Sequence, residues 1–149
     1  MTSHISAELR RIVRSRAGGL CEYCLIHESD TFVGCQIDHV ISEKHGGPTD
    51  EGNLAFACSF CNRAKGTDVG SISSQSGEFT RFFNPRADYW GDHFAMAGVI
   101  IQPCTAIGEV TVRILGFNAS ERIPEREALV RVGRYPPDEA AGLIRSGNA

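Results

Sequence analysis

The sequence predicts a single α+β domain of 149 residues, with an N-terminal helix, a short strand–loop–strand–helix core and an α/β C-terminal extension. Three observations predict this fold class: two CxxC pairs bracket the core, short β-rich runs lie between them, and helical periodicity marks the N-terminus. The 42% hydrophobic and 22% charged residues are ordinary for a globular domain and exclude a chain that is disordered throughout. No apolar run approaches the ~18 residues that argue for a membrane-spanning helix.

An N-terminal helix is predicted over residues 4–17, within a segment 1–20. Its apolar residues recur at the spacing of one helical face: Ile5, Leu9, Ile12 and Val13. Either Ser3 or Ser6 can cap the helix, and the Gly18-Gly19 pair is expected to end it.

The core is predicted over residues 21–66. An aromatic and β-branched run at 32–37 and an apolar run at 54–57 are typical of short strands, and a glycine loop separates them. A helix is predicted over 59–65, ending at Gly66.

A Ser/Gly-rich stretch at 67–78 predicts a linker after the core. Residues 79–149 form the C-terminal extension, whose aromatic side chains are expected to pack on the core. Within the extension a helix is predicted over 124–134, and the spacing at 105–115 fits a helix slightly better than a strand.

The two CxxC pairs predict a structural zinc site made by Cys21, Cys24, Cys58 and Cys61. Each CxxC turn directs two thiolates at one tetrahedral ion, so two turns fill its coordination and leave no position for a substrate. The first twenty residues lack the apolar segment of a secretory signal, and we therefore expect a cytoplasmic protein with reduced thiols. Cys35 and Cys104 are expected to be small buried apolar residues.

A second polar set lies within and beside the cysteine pairs: Asp38, His39, Asn53, Asn62 and Lys65. Oxygens from Asp38 and Asn62 suit a hard cation such as Mg²⁺. An imidazole can act as a general base near neutral pH, and a lysine can hold a phosphate oxygen. Each residue alone has a simpler interpretation as a turn, cap or core residue. At this spacing the set predicts metal-assisted phosphodiester hydrolysis.

The strings GLCEYC, QIDHVIS, HGG, GNLAFAC and CNRAKG, in this order, resemble the HNH endonuclease family. The resemblance implies a zinc-bound ββα-metal (His-Me finger) core over residues 21–66. His39, Asn53 and Asn62 match the three motif positions, the last of which is His in the name-giving pattern. An amide oxygen is a harder ligand than imidazole and favours Mg²⁺ there. The later string RFFNPRADYWGDHF resembles the C-terminal extension of stand-alone bacterial members.

The resemblance also implies a mechanism. Asp38 and Asn62 are expected to hold one Mg²⁺ or Mn²⁺. His39 is expected to take a proton from the attacking water, with Asn53 orienting its ring, and the products would carry a 5′-phosphate and a 3′-hydroxyl. Adjacent residues of a regular strand point to opposite faces, so irregular backbone is predicted at 39–41 to let Asp38 and His39 serve one site.

DNA is the expected partner, although a formal net charge of −3 excludes attraction through bulk positive charge. Phosphate contacts are therefore expected from a few basic side chains: Lys65, Arg63, Arg10, Arg11 and Arg14. The simpler interpretation of the three helix arginines is a solvated face. A single active site that cuts both strands often needs a dimer, so a homodimer is a further expected partner. A zinc-containing module that binds nucleic acid or protein without cutting is the alternative function.

Overall fold

The computed structural model describes residues 4–144, which form five helices and three antiparallel hairpins. The helices are α1 (Ala7–Arg16), α2 (Ser59–Lys65), α3 (Trp90–His93), α4 (Ala106–Leu115) and α5 (Ile123–Arg131). The strands are β1 (Cys35–His39), β2 (Leu54–Cys58), β3 (Gly70–Ile72), β4 (Phe79–Arg81), β5 (Phe94–Ala97) and β6 (Ile100–Pro103). They pair in order, β1 with β2, β3 with β4, and β5 with β6.

Helix α1 begins where its capping residue places it. The Ser6 hydroxyl accepts a hydrogen bond from the Leu9 amide at 3.1 Å, while the alternative cap, Ser3, lies outside the described residues. The helix buries Val13 in a small apolar cluster with Ile5 and the β2 residues Leu54 and Phe56. The arginine-bearing N-terminal helix is therefore fixed to the core hairpin by apolar packing.

The core is the β1–β2 hairpin followed directly by α2. The helix predicted over 59–65 is confirmed, but the first strand is displaced from 32–37 to Cys35–His39. The register pairs Cys35 with Cys58, the last residue of β2. Residues before Cys35 therefore have no partner strand, and Phe32 and Val33 lie exposed in a bend.

The prediction of a linker at 67–78 is wrong. This segment contains β3, which pairs with β4, and the hairpin lies against α4. Its serines close the turn: the buried Ser73 hydroxyl accepts hydrogen bonds from the amides of Gln75 and Ser76. The composition resembles that of a linker because serine side chains satisfy the backbone of a tight turn.

The C-terminal extension packs on the core through aromatic side chains. Trp90 is buried and its indole donates to the Tyr23 carbonyl at 2.8 Å, and Tyr135 donates to the Cys24 carbonyl at 2.7 Å. Residues 105–115 are helical, with the Thr105 hydroxyl capping α4, and the helix predicted over 124–134 is α5. Both tyrosine and tryptophan contacts hold the first CxxC turn. Within residues 4–144, no helix is long and apolar enough to cross a membrane.

Candidate functional site

The four cysteines of the CxxC pairs meet at one buried cluster. Their sulfur atoms lie within 4.8 Å of one another, although Cys21 and Cys24 come from a loop, Cys58 from the end of β2 and Cys61 from α2. The first turn closes through Leu25, whose φ of 70° lets its amide donate to the Cys21 carbonyl at 2.9 Å. Four convergent thiol ligands are the donor set of a closed structural zinc site. The cysteines are thus positioned to bind a metal ion, consistent with zinc.

Sequence reasoning missed a fifth member of this cluster, the buried Arg122. One guanidinium nitrogen lies 3.1 Å from the Cys24 sulfur, and the group stacks 4.3 Å from the centroid of the Phe60 ring. Burial alone would lower the pKa of Arg122, but the neighbouring cysteine thiolates more than offset this and raise it. A four-thiolate zinc site carries a net negative charge, which a permanently charged guanidinium compensates. Its 98-residue separation from Cys24 left no signal in the sequence.

The second polar set is at the other end of the hairpin. Asp38, His39 and Asn62 line one groove of about 620 Å³, together with Ser42, Glu43, Lys44, Gly66 and Thr67. The predicted irregular backbone is confirmed, because β1 ends at His39 and the chain bends at Val40 and Ile41. The end of the strand is what brings adjacent side chains to the same groove.

Asp38 lies on the inner side of the groove and is only 4% exposed. Its Oδ2 accepts from the Tyr23 hydroxyl at 2.7 Å, and its Oδ1 accepts from Lys65 Nζ at 3.2 Å. Burial raises the pKa of Asp38, and the opposing charge of Lys65 limits the rise. The carboxylate is therefore held in place from two sides by the core.

The interpretation of Lys65 as a phosphate contact is wrong for this geometry. The side chain is 1% exposed, and its ammonium donates to Asp38 and to the His39 carbonyl at 2.9 Å. A buried ammonium that is committed to a carboxylate and a carbonyl cannot reach a phosphate on the surface. Arg63, two residues earlier on α2, is exposed.

The imidazole of His39 is oriented by residues that the sequence did not suggest. Its Nε2 lies 2.8 Å from the Thr49 hydroxyl, which donates to Glu43 at 3.1 Å. Asn53, the residue expected to orient the ring, makes no hydrogen bond to it. Asn53 accepts from the Ile41 amide and donates to the carbonyls of Ile41 and Pro48, each at 2.9 Å.

Asn53 instead closes the loop between β1 and β2. Its amide holds Ile41, near the start of the loop, and Pro48, next to Thr49. Gly47 is required at this crossing, because a Cβ there would lie 1.8 Å from the Ile41 carbonyl oxygen and 2.7 Å from Asn53 Nδ2. The motif asparagine and the glycine loop therefore act together to set where Thr49 stands.

Asn62 projects from α2 at the rim of the groove and is half-buried. Its Nδ2 donates to Gln36 Oε1 at 2.5 Å, which turns the carbonyl end of the amide away from that bond. An oriented amide oxygen is a suitable donor for a hard cation.

The α1 arginines lie along a different groove. Arg10, Arg11 and Arg14 line it together with His27 and Glu28, and Arg14 pairs with Glu28 at 2.7 Å. This surface shares no lining residue with the His39 groove. The helix therefore carries the predicted basic face, and its charge is partly neutralised by one ion pair.

Residues 21–68 match the family model described as HNH endonuclease. The matched segment contains all four cysteines and every residue of the His39 groove. No curated protein and no solved structure matched the chain. The match confirms the HNH resemblance for this segment, and the arrangement of β1, β2 and α2 fits the ββα-metal core of such a domain. An HNH domain suggests nuclease activity in general.

Proposed function

We propose that this protein is a metal-dependent endonuclease that hydrolyses DNA phosphodiester bonds in the His39 groove. The observation that carries the proposal is the convergence of Asp38, His39 and Asn62 on one groove, inside the segment that matches the HNH endonuclease family. An imidazole, a carboxylate and an amide oxygen are the groups that metal-assisted hydrolysis needs.

Asp38 and Asn62 would hold the catalytic Mg²⁺ or Mn²⁺. Each Asp38 oxygen accepts one hydrogen bond and retains a further lone pair, and the Asn62 bond to Gln36 uses only the nitrogen end of the amide. These hard oxygen donors fit either cation. A bound cation would supply positive charge at the scissile phosphate and at the leaving oxygen.

His39 is the proposed general base. It takes a proton from water as the water oxygen bonds to phosphorus, and the bond from phosphorus to the 3′ oxygen breaks. The leaving 3′ oxygen gains a proton and becomes a hydroxyl, and the phosphate remains on the 5′ side. Asn53 acts indirectly, since it fixes the loop beside the imidazole and makes no hydrogen bond to the ring.

The zinc site has a structural role in this proposal. Its four buried cysteines leave no open coordination position, so it ties α2 to the first CxxC turn and takes no part in hydrolysis. Reduced thiols at these positions suit the cytoplasmic location that we propose.

A small number of exposed arginine side chains would bind the DNA phosphates. Arg63 lies on the same helix as Asn62, and Arg10, Arg11 and Arg14 form the separate α1 surface. With one groove per chain, a homodimer would place two grooves on one duplex and so allow both strands to be cut.

Supercoiled plasmid tests the proposal directly. We expect the purified protein to convert it to nicked or linear DNA with Mg²⁺ or Mn²⁺. His39→Ala should lower the rate by about 10²- to 10⁴-fold, the usual contribution of a general base. His45→Ala is the matched control, because His45 is exposed on the same loop and should leave the rate unchanged.

End mapping of the products should find 5′-phosphates and 3′-hydroxyls. If the wild-type protein binds plasmid but cleaves none with either cation, the endonuclease proposal fails. The alternative of a zinc-containing binding module would then replace it.

A further inference from the structure

The side chains of His39, Thr49 and Glu43 form a hydrogen-bonded line at the edge of the groove. His39 Nε2 lies 2.8 Å from Thr49 Oγ1, and Thr49 Oγ1 lies 3.1 Å from Glu43 Oε1. The direct separation of His39 Nε2 and Glu43 Oε1 is 3.8 Å, so the threonine hydroxyl is the bridge. Thr49 and Glu43 belong to none of the three named motif positions.

The number of protons in this line fixes the tautomer of the ring. A carboxylate can only accept, so the single hydroxyl proton of Thr49 goes to Glu43. The Thr49 oxygen must then accept from His39 Nε2, which carries the ring proton. In the opposite tautomer Nε2 carries no proton, so the Thr49 hydroxyl could donate either to the ring or to Glu43 but not to both. The remaining contact would then have no proton between its two atoms. In the neutral ring Nδ1 is consequently the unprotonated nitrogen.

The loop between β1 and β2 is built to hold this line. Glu43 begins a 3-10 turn, Glu43–His45, and Thr49 follows Pro48, whose carbonyl is held by Asn53. The His39 side chain is 11% exposed and that of Glu43 is 24% exposed. Partial burial therefore limits the access of water to these hydrogen bonds.

We propose that Thr49 and Glu43 are positioning residues that hold His39 as the Nε2–H tautomer and leave Nδ1 to take the proton from the attacking water. The role in hydrolysis rests on the proposed endonuclease function. The tautomer itself is a property of the protein without substrate.

Nitrogen NMR of the full-length, ¹⁵N-labelled protein measures the tautomer. At a pH where the ring is neutral, long-range ¹H–¹⁵N spectra distinguish protonated from unprotonated ring nitrogens, and His39→Gln identifies the His39 signals. We expect the wild type to show His39 protonated at Nε2. Thr49→Val removes the hydroxyl at nearly constant shape, and we expect a mixture of tautomers.

Steady-state cleavage supplies the second measurement. We expect Thr49→Val to lower kcat by about 10- to 100-fold with little change in KM, the usual cost of losing a group that orients a functional histidine. Thr49→Ser retains the hydroxyl and should restore both kcat and the single tautomer. A residue that served only to fold the loop would not give a tautomer change that serine reverses.

The inference is overturned if wild-type His39 carries its proton at Nδ1. It is also overturned if Thr49→Val folds with the wild-type thermal midpoint and keeps the wild-type tautomer and kcat. Absence of cleavage by the wild type would overturn the proposed function and the catalytic role of Thr49 and Glu43 together. The NMR result would still decide the tautomer.

Discussion

The two ends of the β1–β2 hairpin carry contrasting polar sites. At one end, where Cys35 pairs with Cys58, the chain enters α2 and the four cysteines close a buried cluster. At the other end, where His39 pairs with Leu54, the strand stops and the side chains open onto a groove. The same two strands and helix therefore contribute to one site that is full, which also takes two cysteines from the first CxxC turn, and to one site that is accessible. The full site suits stability, and the accessible site suits chemistry.

The two sites also obtain their compensating charge from different places. Arg122 reaches the cysteine cluster from the C-terminal extension, whereas Lys65 reaches Asp38 from within the core. Both cations are buried. All the lining residues of the groove, and Lys65 beneath it, lie within the matched segment 21–68, whereas the cation beside the cysteine cluster lies outside that segment.

The largest effect is expected when the metal is removed from the four-cysteine cluster. We expect one zinc ion per chain by elemental analysis, and Cys24→Ser or chelation should unfold the core, because binding at structural zinc sites supplies about 10–16 kcal/mol of folding free energy. Far-UV circular dichroism and the thermal midpoint measure the loss. Cys104→Ser is the control and should change neither. The prediction that Cys104 is buried is wrong, because this side chain is exposed. An unchanged far-UV spectrum after complete zinc removal would contradict the structural role.

The next effect concerns the ion pair beneath the groove. Lys65→Met leaves the buried Asp38 without its cation and should cost about 3–5 kcal/mol in the free energy of unfolding by urea. Combining it with Asp38→Asn removes the uncompensated charge and should recover part of the loss. Arg63 is exposed on the same helix, so Arg63→Met should lower the free energy of unfolding far less. A loss in Lys65→Met no larger than in Arg63→Met would show that the pair does not stabilise the core.

A smaller effect is expected when the positive charge of Arg122 is removed from beside the cysteine cluster. Arg122→Met keeps much of the side-chain volume but not the positive charge, and should weaken zinc binding by about 10- to 100-fold in competition with a chelator. Arg131→Met, exposed on α5, should leave zinc affinity unchanged. Equal zinc affinities of the two variants would show that the charge of Arg122 does not contribute to zinc binding.

The smallest expected effect concerns whether the α1 arginines contact the DNA that binds at the His39 groove. Arg11 is exposed and lines the α1 groove with Arg10 and Arg14. Arg11→Gln should reduce the salt dependence of DNA binding by about one phosphate contact, a change in slope of roughly 0.9. Plasmid cleavage at saturating DNA should be unaffected. An unchanged salt slope would favour the solvated helix face over a DNA contact.

Local signals in the sequence were reliable where neighbouring residues decide the structure. Ser6, one of the two predicted caps, caps α1, and α2 spans the predicted 59–65. The cysteine spacing was sufficient to predict the closed cluster, since each CxxC turn is itself a local structure. The start of β1 was mispredicted because a strand extends only as far as its partner, and β2 ends opposite Cys35.

The residue types of both sites, the four thiols and the Asp38, His39 and Asn62 set, can be read from the amino-acid sequence, because their spacing is a property of short turns and one strand end. Their surroundings depend on the folded arrangement of the chain. Lys65 lies under the groove, Arg122 lies against the thiols, and Thr49 with Glu43 fixes the His39 ring. These partners are set by burial and by hydrogen bonds between distant segments, and a buried charge or ring nitrogen takes whichever donor or acceptor the packed fold supplies.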